Sequence, residues 1–217
     1  MKKNKKVKYD NVLLVTSISI FVVFLLITGF MVGKLIKDLK GNKESNVEVV
    51  DKMDDFGYQL TGNNTDYFKS LYYDLKDLLN ATKKENFDEE YAKLVSRLFV
   101  ADFYDLNSKL DKTDVGGVQF IWNDKRESFK DFATDSKGIY YYVENNVYGK
   151  RKQDLPSVKK VEVETIETTA YSKDGYQDSS AYRVVLSIQY QRDLGYPEKC
   201  ELILLHNKDK IEIIEVK

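Results

Sequence analysis

The chain has 217 residues, with 34 Lys plus Arg against 35 Asp plus Glu, and 42% of its residues are hydrophobic. A charged fraction of 32% and an aromatic fraction of 13% describe a folded chain, not a disordered one, and the length suits one domain with an added segment. One Cys (Cys200) and one His (His206) exclude an internal disulfide and any multi-cysteine or multi-histidine metal site. The near-neutral total hides a split. Residues 1–44 carry nine Lys against Asp10, Asp38 and Glu44, whereas residues 45–217 carry 25 basic against 32 acidic residues, a net of −7. So acidic a body excludes a nucleic-acid-binding domain, because phosphate recognition requires a basic face.

From Val12 to Gly33 the sequence holds 22 residues without a charge. As a helix this run is about 33 Å long, enough to cross a hydrocarbon core of roughly 30 Å. Lys2, Lys3, Lys5, Lys6 and Lys8 precede it, which places residues 1–11 in the cytoplasm by the positive-inside rule. The run is longer than a signal-peptide core and no small-x-small cleavage site follows it, so residues 12–33 are expected to be an uncleaved signal anchor in the lipid bilayer. The later residues would then lie outside the cell. Lys outnumbers Arg 29 to 5, a bias of AT-rich genomes that suggests a low-GC Gram-positive bacterium. Gly29 and Gly33 form a GxxxG, a spacing that lets two apolar helices approach closely.

Residues 34–63 are expected to be a juxtamembrane linker with a short helix. Lys34–Lys40 is amphipathic, Gly41–Asn46 is linker-like, and Val49, Val50, Met53, Phe56 and Leu60 have helical spacing. The external domain is then 64–217. Phe68, Leu71, Tyr72, Leu75, Leu78 and Leu79 form a helical stripe, with N-cap candidates at Asn63–Asp66. A further helix is predicted over 88–106, and a fourth helical region over 124–146 in two pieces around Lys137-Gly138. Beyond Pro156 the period changes to 2. Tyr182, Val184, Leu186, Ile188 and Tyr190 alternate with polar residues, and the strand led by Val161 and Val163 slips near Ile166, the mark of a bulge. Ser172–Gly175 supplies a turn within a connection longer than a tight hairpin. Lys199–His206 and Ile211–Val216 complete an antiparallel meander of four strands. The expected fold class is α+β, with helices packed on a curved, cone-like four-stranded antiparallel sheet.

A single N-terminal span, then helices, then such a sheet resembles the extracytoplasmic domains of the bridging subunits of type IV secretion and Gram-positive conjugation machines. Those domains have the nuclear-transport-factor-like, or cystatin-like, cone fold. The resemblance covers roughly 64–217 plus the anchor and rests on element order. It implies a scaffold that binds partners and does not catalyse. The same fold also hosts isomerases in a polar cone, so the fold alone does not settle function.

Single residues weighed as chemistry are few. Asp102 lies on the apolar side of the third helix, where a general base of an isomerase-like cone would sit, or where a rim carboxylate would bond a Tyr hydroxyl or a backbone amide. His206 ends a strand with neither an orienting carboxylate nor a nucleophile evident near it, and reads as a surface or edge residue. Cys200 alternates with Leu202 and Leu204 as a small buried residue. The acidic clusters Asp54-Asp55 and Asp88–Glu90, and the stretch Asp111–Gly117, lack calcium-loop spacing. No catalytic, cofactor or metal residues are therefore assigned. Tyr140, Tyr141 and Tyr142, with Tyr148, cannot all face one core, and an exposed member marks a binding surface. The function expected is a single-pass, membrane-anchored, non-enzymatic domain for protein interaction or self-association. The alternative is a cone holding a small lipid or glycan, with weak isomerase-type activity through Asp102.

Overall fold

The computed structural model describes residues 48–82 and 85–217. The apolar run 12–33, its GxxxG and its lysine-rich flanks lie outside the described residues. Among the described residues, no helix is long and apolar enough to cross a membrane. What is described is an α+β body: a β-hairpin, helices, then a four-stranded antiparallel sheet.

The body begins with a correction. Val49–Met53 (β1) and Tyr58–Thr61 (β2) are antiparallel strands, not the short helix that the apolar spacing predicts. Gly57 sits at φ +68° and its N–H donates to Met53 O at 2.7 Å, closing a turn in the left-handed region that favours glycine. Met53, Tyr58 and Leu60 are buried in the main core, while Val49 and Val50 stay exposed. A helix would have put Val49, Val50 and Met53 on one face. The hairpin is therefore part of the packed body. The outer edge of β2 is closed by Gln119, whose Oε1 accepts from Gln59 N–H at 2.7 Å and whose Nε2 donates to Gln59 O at 3.2 Å.

Asp66–Asn80 (α1) starts as expected, with the Thr65 hydroxyl accepting from Phe68 N–H and Asp66 in the first turn. Phe87–Phe103 (α2) opens with Asp88, Glu89 and Glu90, which oppose the positive end of the helix. The fourth region is helical over a 3-10 turn at Asn123–Lys125 and an α-helix at Arg126–Thr134 (α3); residues 135–146 are turns and irregular chain. At Gly138 the chain packs directly on the end of α3, where a Cβ would lie 2.1 Å from Ala133 O. The chain crosses itself there, and Tyr140 N–H donates back to that same oxygen at 3.1 Å. Of the apolar positions predicted in this region, Phe129, Tyr140 and Val143 are buried, but Phe132 is exposed.

The sheet is Val158–Lys173 (β3), Tyr176–Tyr190 (β4), Lys199–Asn207 (β5) and Lys210–Val216 (β6), in that order. This is the expected meander, and the irregularity predicted near Ile166 falls between Val163 and Thr165. The β3–β4 connection differs from expectation. Lys173 pairs with Tyr176, and Asp174 at φ 53° and Gly175 at φ 85° form a two-residue turn with both φ positive, the twist that Asp-Gly favours in hairpins. The helix α2 meets all four strands, with Val184, Leu186, Leu202, Leu204 and Ile213 beneath the helical layer. The edge of β3 is plugged by a side chain. The Tyr67 hydroxyl accepts from Val161 N–H at 2.9 Å and donates to Val161 O at 3.1 Å, and Arg97 Nε donates to the same carbonyl.

Candidate functional site

The residue singled out most strongly by sequence, Asp102, is occupied. It lies at the last turn of α2 with its side chain 12% exposed, paired with the Lys109 ammonium, whose side chain is 6% exposed. Its Oδ2 also accepts from Gly117 N–H at 2.7 Å, and Asn64 Nδ2 reaches Oδ1 at 3.5 Å. The expected backbone-amide partner is present, whereas the buried lysine has no signature in the sequence. Burial works against the charge on Lys109, yet Asp102, with Asp114 and Asp105 behind it, holds the ammonium above its ordinary range. Three donors of the protein itself, a cation, an amide and a carboxamide, thus engage both oxygens of the carboxylate. The pair ties the end of α2 to the loop that follows it.

That loop end carries further ties. Asp105 accepts from Val158 N–H at 2.8 Å and from Ser108 N–H at 3.1 Å, although burial still raises its pKa. The Tyr140 hydroxyl donates to Phe103 O at 2.8 Å and accepts from Gly116 N–H at 3.0 Å, and burial pushes its pKa well up. Arg151 donates to the carbonyls of Lys109 at 2.9 Å and Asn107 at 2.7 Å, and Asn146 N–H donates to Leu110 O at 2.6 Å. Residues 105–117 and 139–153 are thus laced into one surface.

His206 is better supported than the sequence indicated. Its backbone N–H and its Nδ1 both lie 2.8 Å from Asp178 Oδ2. The ionised acceptor makes Nδ1 the protonated nitrogen and leaves Nε2 outward, 3.9 Å from Asp88. Burial opposes the charge of Asp178, yet the amides of His206 and Ser180 hold its pKa below the usual carboxylate range. The orienting carboxylate exists after all. Tyr182, its ring centroid 5.6 Å from the imidazole, completes a polar edge. Cys200 is buried as predicted, and burial pushes its thiol up to about 12; the protonated thiol is a packing group. Among the described residues, no cluster of three or more His, Cys, Asp or Glu side chains is placed to hold a metal ion.

What the body leaves outside is apolar surface of two kinds. Val49, Val50 and Tyr73 are exposed on β1 and α1, and Phe132, Tyr141, Tyr142, Val147 and Tyr148 on α3 and the loops behind it. The tyrosine run behaves as its spacing required: Tyr140 is fully buried, while Tyr142 is 73% and Tyr148 85% exposed. Tyr141 and Tyr142 pack edge to face with centroids 4.7 Å apart, and Lys112 Nζ lies 5.8 Å from the Tyr141 ring centroid. The chain matches no protein-family model, no curated protein and no solved structure at a significant level.

Proposed function

We propose that this chain is a single-pass membrane scaffold: residues 12–33 form a transmembrane signal anchor with the N-terminus in the cytoplasm, and the α+β body stands outside the cell and acts by binding other proteins. The observation that carries this reading is the placement of apolar side chains. The layer between helices and sheet is filled by aromatic rings such as Tyr58, Tyr72, Tyr91 and Phe99, so a cone-shaped interior would be closed by its own side chains. Large apolar groups are instead displayed on α1, β1 and the loop end, on elements held by hydrogen bonds and ion pairs such as Lys76–Asp51 at 2.6 Å. Exposed aromatics on a rigid support are the composition of an interface core. The layout of helices followed by a four-stranded meander is the one that resembles bridging scaffolds. The alternative, a ligand-binding cone with Asp102 as base, is disfavoured because Asp102 is already paired with buried Lys109 and with the Gly117 amide.

Protease added to intact protoplasts should digest residues 48–217; protection of that region would overturn the orientation. A photo-crosslinking residue at Tyr73 in native membranes should give a discrete protein adduct that Val50→Ser weakens. Lipid adducts alone, or none, would remove protein binding from this face.

A further inference from the structure

We propose that the aromatic and basic loop end of the body docks on an anionic lipid surface. The inference rests on the anchor proposed above and concerns a surface distinct from the Tyr73 face. Tyr141, Tyr142, Val147 and Tyr148 are exposed there beside the exposed Lys150 and Lys152, and Lys112 reaches over the Tyr141 ring. Tyrosine is suited to the headgroup layer because its ring is apolar and its tip is wet. Lysine stems lie along apolar surface while the ammonium reaches phosphate.

The distribution of charge fits the same partner. Residues 48–217 carry a net of −7, yet 105–117 and 139–153 together carry Lys109, Lys112, Lys150, Arg151 and Lys152 against Asp105, Asp111, Asp114 and Glu144, a net of +1. An anionic bilayer therefore repels most of the body and attracts this end, which orients it. The Lys208-Asp209 turn of β5–β6 lies at the other end of the sheet from Val158, which Asp105 of the loop end holds.

The test uses the full chain in vesicles of phosphatidylcholine with or without phosphatidylglycerol. An environment-sensitive fluorophore is placed at Tyr148→Cys or, as the far-end control, at Asp209→Cys; Cys200 is buried and does not compete for the label. The expected result is a blue shift and quenching by lipid-borne quencher at position 148 but not at 209, only with phosphatidylglycerol, and lost in the Lys112→Gln/Lys150→Gln/Lys152→Gln variant. These lysines are exposed, so circular dichroism should report an unchanged fold. No difference between positions 148 and 209, in a chain that still resists carbonate extraction, overturns the docking and leaves the anchor standing. Extraction by carbonate overturns both. Equal shifts in neutral vesicles, or no loss in the triple variant, overturn the anionic partner. A shift seen in native membranes but absent from vesicles of the same headgroups assigns the surface to a protein and overturns the lipid.

Discussion

The two faces of the four-stranded sheet are built from the same strands and buried in different ways. On the inner face Val184, Leu186, Leu202, Leu204 and Ile213 meet α2 and the aromatic layer. On the outer face the buried apolar residues are Ala181, Ile203 and Leu205, with Glu212 buried opposite Leu205. Their cover comes from the tip of the β3–β4 hairpin, which bends back so that Tyr171 and Tyr176 pack there with Trp122, and Tyr171 OH and Lys173 Nζ both reach Glu215 of β6. A bulge between Thr169 and Tyr171 gives the ribbon its bend. The lesson is that alternation in a strand shows that a face is covered, but not by what. Helices cover one face through distant chain; a hairpin covers the other through its own excess length.

The sharpest break of that contrast is Leu186→Asp, which puts an unpaired carboxylate under α2 and should leave no cooperative urea transition. Next is the polar fastening at the end of the inner layer. Asp102→Ala strands the Lys109 ammonium in the interior and should cost about 3–5 kcal/mol, read by urea denaturation followed through Trp122, with the double change Asp102→Leu/Lys109→Met recovering most of it. Truncating one residue from each face then tests the ranking directly. Leu204→Ala should fall toward the upper end of about 2–5 kcal/mol and Ile203→Ala toward the lower end, because the small outer cluster collapses more easily; the reverse order would break the contrast. A smaller effect is alkaline. Cys200 faces inward with its thiol raised from 9.0 to about 12, so its contribution is complete below pH 9.0 and is lost as pH rises toward about 12, when the unfolded thiol ionises first. Cys200→Ala should make the decline of the urea midpoint in that window shallower. The smallest effect belongs to Gln189→Lys, on an exposed position of β4, within about 0.5 kcal/mol of the parent.

The strands and the first two helices were legible because each repeats one period over enough residues to exclude the other: five apolar positions in Tyr182–Tyr190, six in Phe68–Leu79. The hairpin at 49–61 was not. Val49, Val50, Met53, Phe56 and Leu60 satisfy a helical stripe over a segment too short to test it, and the informative residues were Asp54, Asp55 and Gly57, a turn sequence. The Asp174-Gly175 turn carried its own signal and was read too loosely. At the candidate site Asp102 was found because a carboxylate interrupts an apolar stripe, while Lys109 was missed because the chain reverses between them. Asp178 was likewise invisible as the partner of His206, lying on another strand of the sheet. Side chains that close strand edges, such as Gln119 and Tyr67, leave no periodic trace at all.

The Asp102–Lys109 pair has a consequence for how this sequence can change. Two buried ions are no stronger a fastening than two well-packed apolar side chains of similar volume. Replacing either alone leaves the other charged in the interior beside Gly116 and Gly117, where the backbone leaves no room for a larger neighbour: a Cβ on Gly116 would lie 2.3 Å from Asp102 O, and one on Gly117 2.6 Å from the Phe99 ring. The apolar alternative is thus separated from the present pair by a single-substitution intermediate about 3–5 kcal/mol less stable than either. Change at either position alone descends into that valley, and only the paired change steps across it.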